Sequence, residues 1–203
     1  MTNFLLIRHG NSIAAEFAPG RMNSIHLSDE GIKQAEKLAE KIAAYKIDMI
    51  LSSPLDRTKE TAEIIAAKFG KKVEFLENLL ELDLGEWTGK SFKELEQTEK
   101  WHQYHSLRSV TRIPSGELFI EVQFRMISQI QKLAESYKDK TVIIVSHGDP
   151  IRSIITYFSG IPIDLSTRIH IDTASVSMIS ISRRNAIIRF VNKWGFHLPP
   201  QGI

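Results

Sequence analysis

The sequence predicts an α/β fold: a three-layer sandwich with a mostly parallel central sheet flanked by helices, an antiparallel edge and a small lid insertion. Three observations predict it. Phe4-Leu5-Leu6-Ile7 and Thr141-Val142-Ile143-Ile144-Val145 are short continuous apolar runs, the pattern of strands buried on both faces. Between such runs lie longer segments whose apolar residues recur at helical spacing. Residues 174–192 instead alternate, with Val176, Met178, Ile179 and Ile181 on one side of Arg183-Arg184-Asn185 and Ile187, Ile188 and Phe190 on the other. They read as a hairpin closing one edge of the sheet.

Composition narrows the function classes. The 203 residues are 42% hydrophobic and 25% charged, an ordinary globular mixture, and the net charge of +2 is too small for a nucleic-acid surface. With no cysteine there is no disulfide frame, thiolate metal site or cysteine nucleophile. The first apolar run meets Arg8 too soon to be a signal-peptide core or a membrane span. The expectation is one soluble, cytoplasmic domain over residues 1–203, with the lid at about 90–114 and no membrane or nucleic-acid partner. The hairpin edge can pair with a second copy or stay capped, so monomer and homodimer are both open.

Taken in order, the first strand runs into Arg8-His9-Gly10-Asn11-Ser12, presenting a cation and an imidazole at the carboxyl edge of the sheet, where open α/β sheets bind ligands. Gly10 there would let backbone approach a ligand closely. Residues 11–27, with Pro19, Gly20, Asn23 and Ser24, read as a loop in which Glu16 and Arg21 are candidates to rim a site. Ser28 is a helix N-cap, with Asp29 and Glu30 in the first turn and Ile32, Ala35, Leu38, Ala39 and Ile42 on the apolar face.

Met49-Ile50-Leu51 is a second strand. It leads to a helix with Pro54 near its first position, Ala62, Ile65, Ala66 and Phe69 on its buried face, and Gly70 closing it. Arg57 falls in the first turn, where a cation opposes the helix dipole unless an anion sits nearby. Val73-Glu74-Phe75-Leu76 is a third strand. The stretch from Leu80 to Gly89 reads as a compact ordered loop, with Glu81 between two leucines; burial there would raise its pKa and make it a proton donor near neutral pH.

Residues 91–110 are aromatic-rich and poorly periodic, as befits a lid. Trp101, His102, Tyr104 and His105 are available to an organic leaving group, although packing of the lid on the body is the commoner reason for such residues. Ser115-Gly116-Glu117 is expected to open a long helix with Leu118, Val122, Ile127, Ile130 and Leu133 on its apolar face. The clearest strand, Thr141–Val145, runs into Ser146-His147-Gly148, with Asp149 as N-cap and Pro150 as first helical residue of the next helix. The last ten residues read as a tail.

The polar groups delivered at strand ends are Arg8, His9, Arg57, Glu81 and His147. Each guanidinium can grip two phosphoryl oxygens, a neutral imidazole can attack phosphorus in line, and a carboxylic acid can protonate the leaving oxygen. This chemistry calls for no metal and no cofactor.

Six motifs in order carry a resemblance: Arg8-His9-Gly10; Leu27-Ser28-x-x-Gly31-x-x-Gln34-Ala35; Ser52-Ser53-Pro54-x-x-Arg57-x-x-x-Thr61-Ala62; Glu81-x-x-x-Gly85-x-Trp87-x-Gly89; Gly116-Glu117; and Ser146-His147-Gly148. Over nearly its whole length the chain resembles the histidine phosphatase superfamily, in the branch of phosphoglycerate mutase-like phosphatases. The resemblance implies His9 as nucleophile, Glu81 as general acid and base, and Arg8, Arg57 and His147 as the phosphate pocket. Asn11, Ser12, Arg21 and Gly148 are the further candidates for substrate contact. The chain departs from the family where Asn11-Ser12 replaces the usual Glu and Ser/Thr. Ala14-Ala15-Glu16 stands where many members have an Asn, for which Asn11 is the candidate substitute, and Leu118 removes a hydroxyl after Gly116-Glu117.

The expected reaction is hydrolysis of phosphomonoesters of small metabolites through a phosphohistidine. Mutases resembling this family carry a longer segment between the Glu and the second His. Small members acting on phosphohistidine proteins lack a lid. These are the two alternatives.

Overall fold

Strands delivered by apolar runs need covers on both faces, and the intervening segments supply them. The computed structural model describes residues 1–14 and 16–194. In chain order it has β1 (Thr2–Arg8), α1 (Asp29–Ile42), β2 (Met49–Ser52), α2 (Asp56–Phe69) and β3 (Val73–Phe75). Two short helices follow, α3 (Phe92–Leu95) and α4 (Glu99–Ser106), then α5 (Phe119–Ser136), β4 (Thr141–Ser146), α6 (Gly148–Ser159), β5 (Val176–Ile181) and β6 (Ala186–Lys193).

The six strands lie in the order β3-β2-β4-β1-β5-β6. β1, β2, β3 and β4 are mutually parallel, while β5 runs antiparallel to β1 and pairs with β6 in the expected edge hairpin. Alternate residues of each strand feed two cores. Phe4, Leu6, Leu51, Val142 and Ile144 pack with Val122, Met126 and Ile130 of α5 and with Ile151 and Ile154 of α6. Leu5, Ile7, Ile50, Ile143 and Val145 pack with Leu38 and Ile42 of α1 and with Ala62 and Ile65 of α2. Helix layers on both faces explain why the β1 and β4 runs are continuously apolar.

Local chemistry sets several boundaries. The Ser28 hydroxyl accepts from the Gly31 N–H at 3.1 Å and caps α1. Gly70 ends α2 at φ +59, a left-handed turn that suits glycine. The 80–89 loop is ordered, with a 3₁₀ turn at Gly85–Trp87.

Other expectations need correction. Ile32 is 40% exposed, because the buried stripe of α1 starts at Gly31 and continues through Ala35, Leu38, Ala39 and Ile42. β3 ends at Phe75, one residue early. Pro54 precedes Leu55, the N-cap of α2, and lies outside the helix. α5 opens at Phe119, whose ring takes the buried place expected of Leu118; Leu118 is the N-cap, and its N–H donates to the Glu121 carboxylate. Gly116 serves close packing instead of opening a helix, since a Cβ there would lie 2.4 Å from the Asp83 carbonyl. α6 begins at Gly148 with His147 at the N-cap position, so Asp149 and Pro150 both lie inside the helix. From residue 195 on, the expected tail lies outside the described residues.

No helix among the described residues is long and apolar enough to cross a membrane.

Candidate active site

Strand register builds the site. β1 and β4 are neighbours with Arg8 opposite Ser146, so the next residue on each strand is a histidine. The His9 N–H donates to the Ser146 carbonyl at 3.0 Å, and the two imidazole centroids are 5.3 Å apart. β2, on the other side of β4, ends with Ser52 opposite Val145 and carries the chain into Ser53 and α2. The candidate groups thus gather at the carboxyl ends of three adjacent parallel strands, as ligand crevices of open α/β sheets do.

Hydrogen bonding assigns the His9 ring. Its Nδ1 lies 2.7 Å from the Gly10 carbonyl, which can only accept, so Nδ1 carries the proton and the Nε2 lone pair is left unshared. Burial, reinforced by Arg57 and Arg8, holds the His9 pKa well below the ordinary imidazole value. The ring is therefore neutral and nucleophilic at neutral pH. His147, fully buried, is lowered for the same reasons, with His9 adding to the effect of Arg57.

Two guanidiniums flank the rings and are anchored on backbone. Arg8 donates to the Ile171 carbonyl at 2.6 Å, and Arg57 to the Gly20 and Met22 carbonyls at 2.7 and 3.3 Å. Arg57 is 1% exposed in the first turn of α2. Burial lowers the pKa of both, with Glu81 as the main opposing charge. Among the described residues Arg8 Nε, Arg57 Nε and His147 Nδ1 are buried without a hydrogen-bond partner. Buried donors are costly to leave unpaired, and donors gathered between fixed cations suit a multivalent oxyanion.

Glu81 completes the cluster, with Oε2 4.0 Å from His147 Nδ1. Burial, then the nearby Asp149 carboxylate, raises its pKa. Its backbone is clamped: Arg21 Nε and Arg125 Nη2 donate to the Glu81 carbonyl at 2.9 and 3.0 Å, and both arginines also meet the Glu117 carboxylate. Glu117, through these two arginines, therefore steadies the backbone that carries the Glu81 carboxyl group.

A cavity of about 420 Å³ opens onto these groups, within the range of small-molecule sites. Arg8, His9, Arg57, Glu81, Asn11, Ser12 and Gly148 line it, as do Phe92, Trp101, Tyr104 and His105 from the 90–114 segment. His147 is not on the wall; it is fully buried beside it, its ring 5.3 Å from that of His9 and its Nδ1 4.0 Å from Glu81 Oε2. His102 is not on the wall. Nor is Arg21, whose guanidinium is spent on Asp83, Glu117 and the Glu81 carbonyl.

Gly10 also differs from expectation. A Cβ there would meet the Gly31 carbonyl at 2.5 Å, so this glycine admits α1 instead of a ligand. Three charged cavity residues, Arg108, Asp149 and Arg152, are not recognised as such from the sequence. Arg108, 2% exposed, donates to the Tyr104 hydroxyl at 2.8 Å and to Asp149 at 2.7 Å, and Arg152 pairs with the other Asp149 oxygen. Two cations hold the Asp149 pKa far below the usual carboxylate range. Its place after His147-Gly148 was the available signal, and it reads as a cap until Arg108 arrives from 41 residues away.

The family model of the histidine phosphatase superfamily (branch 1) matches residues 4–193, and the chain belongs to that superfamily. It is a phosphomonoesterase of the histidine phosphatase type. It is 30% identical over 196 residues to phosphoserine phosphatase 1 of Hydrogenobacter thermophilus, covering 93% of this chain and 92% of that one. It is 31% identical over 183 residues to a probable phosphoglycerate mutase of Salmonella choleraesuis, covering 88% and 85%. In structure it is similar to a phosphoserine phosphatase of Entamoeba histolytica in complex with 3-phosphoglyceric acid, at TM-score 0.86 and 26% identity over 96% of this chain and 98% of that one.

Proposed function

We propose that the protein hydrolyses phosphomonoesters of small metabolites, without a metal, through a phosphohistidine on His9. The observation that carries this reading is the His9 ring: neutral, with Nδ1–H tied to the Gly10 carbonyl, Nε2 without a partner among the described residues, and Arg8 and Arg57 beside it.

In the first step Nε2 attacks phosphorus while the P–O bond to the leaving group breaks. Arg8, Arg57 and His147 hold the phosphoryl oxygens, and the Glu81 carboxyl gives its proton to the departing alkoxide. In the second step the Glu81 carboxylate takes a proton from water. The water oxygen attacks phosphorus, and inorganic phosphate leaves with His9 restored. The pKa of Glu81, raised by burial, suits both halves.

Residues 90–114 act as a lid on a single domain. Phe92, Trp101 and His105 offer an aromatic wall to the leaving group, with Asn11, Ser12 and Gly148 on the phosphate side. The likeness to phosphoserine phosphatase supports hydrolysis of a phosphorylated metabolite of about that size.

The test is phosphate release from a metabolite panel and from p-nitrophenyl phosphate in the presence of a chelator, with His9→Ala as blank. Turnover without metal and without a bisphosphoglycerate primer is expected. Isomerisation of phosphoglycerate that depends on the primer would make the protein a mutase.

A further inference from the structure

We infer that Ser53 is a positioning residue that fixes the tautomer of His147, so that the His147 Nδ1–H points at the phosphoryl group; the inference rests on the phosphohistidine reading above. Ser53 and His147 are both 0% exposed, and Ser53 Oγ lies 2.9 Å from His147 Nε2. The partners leave two arrangements. In one, the hydroxyl donates to Nε2 and the ring proton sits on Nδ1. In the other, Nε2–H donates to the hydroxyl and Nδ1 presents a lone pair.

The surroundings choose the first. Among the described residues Nδ1 has no hydrogen-bond partner and is sealed from solvent, and its ring lies 5.3 Å from that of His9, the proposed nucleophile. A lone pair there would repel the phosphoryl oxygens; a proton there is attracted to them and to the nearer oxygen of Glu81, whose Oε2 is 4.0 Å away. In the second arrangement the Ser53 hydroxyl proton would itself be buried without an acceptor, since its only side-chain hydrogen bond among the described residues is the one to His147.

Ser53 is also held too firmly to turn away. Its N–H donates to the Val145 carbonyl at 3.0 Å, and its own carbonyl accepts from the hydroxyls of Ser52 and Thr58 at 2.9 and 3.0 Å. The pairing of β2 with β4 therefore fixes the backbone from which the hydroxyl reaches the imidazole. A neutral His147 can donate to the transferring phosphoryl group only in this tautomer.

The experiment is ¹⁵N NMR of the histidine rings in protein without substrate, on wild type and Ser53→Ala, with steady-state kinetics on p-nitrophenyl phosphate. In wild type the His147 proton is expected on Nδ1. Ser53→Ala is expected to move it wholly or partly to Nε2 and to lower kcat about tenfold, the size of one hydrogen bond, with a smaller effect on KM. A wild-type ring protonated on Nε2 overturns the proposal without recourse to any variant. So does a Ser53→Ala protein in which either the ring or kcat is unchanged. The ring shifts need no turnover, so they stand or fall separately from the trapping of a phosphohistidine.

Discussion

Burial moves His9 and Glu81 in opposite directions, and each direction is the one its proposed role needs. The imidazole, lowered, stays unprotonated; the carboxyl group, raised, keeps a proton to give. With those proposed roles, the signs predict the following pH profile of kcat/KM. Activity falls on the acid side as pH drops through the lowered His9 pKa, so that limb lies below the ordinary imidazole value. It falls on the alkaline side as pH rises through the raised Glu81 pKa, when the donor is lost. Glu81→Gln is expected to remove the alkaline limb and slow turnover of alkyl phosphates about 100-fold or more, with a smaller loss on p-nitrophenyl phosphate, whose leaving group needs no proton. The check is a pH series on both substrates. An alkaline limb that persists in Glu81→Gln assigns the titration to another group.

At the scale of elements, the Arg8-His9-Gly10 turn is held by what packs on it. A Cβ on Gly31 would lie 1.9 Å from the Asn11 carbonyl, a backbone contact that cannot swing aside. Gly31→Ala is therefore expected to displace the turn carrying His9 and to lower both the urea midpoint and kcat. Ile144, fully buried in the central strand, gives a contrasting case. Ile144→Ala is expected to cost about 2–5 kcal/mol in urea unfolding, from the lost burial and the cavity left behind. Elements whose cause is local were legible in the sequence. β1 and β4 announce themselves by apolar runs, α1 by Ser28, α2 by Gly70, and the meeting of the two imidazoles by their places directly after β1 and β4. What depends on a distant partner was not. Asp149 has the look of an N-cap and is claimed by Arg108 and Arg152. Arg21 has the look of a substrate cation and is drawn to Glu117. Ser53 gains meaning only once β2 lies beside β4.

For the molecule as a whole, the 90–114 segment is fastened to the body at the same point that bears the second histidine. Arg108 lies between the Tyr104 and Phe119 rings, 4.7 and 4.3 Å from their centroids, and ends on Asp149, two residues after His147. Asp149→Asn leaves the buried guanidinium without its counter-charge, and a loss of about 3–5 kcal/mol is expected in urea unfolding. A loss near zero would show that the hydroxyls of Tyr104 and Ser166, to which Arg108 also donates at 2.8 and 3.2 Å, suffice as partners.

The proposed catalysis turns on a covalent bond between phosphorus and the Nε2 of His9. Rapid mixing with ³²P-labelled substrate, quenching in alkali to preserve a phosphoramidate, and peptide mapping test it directly. Label on the peptide holding His9, formed no more slowly than turnover and missing in His9→Ala, is the predicted result. Steady turnover with no label on that peptide at any time would contradict it.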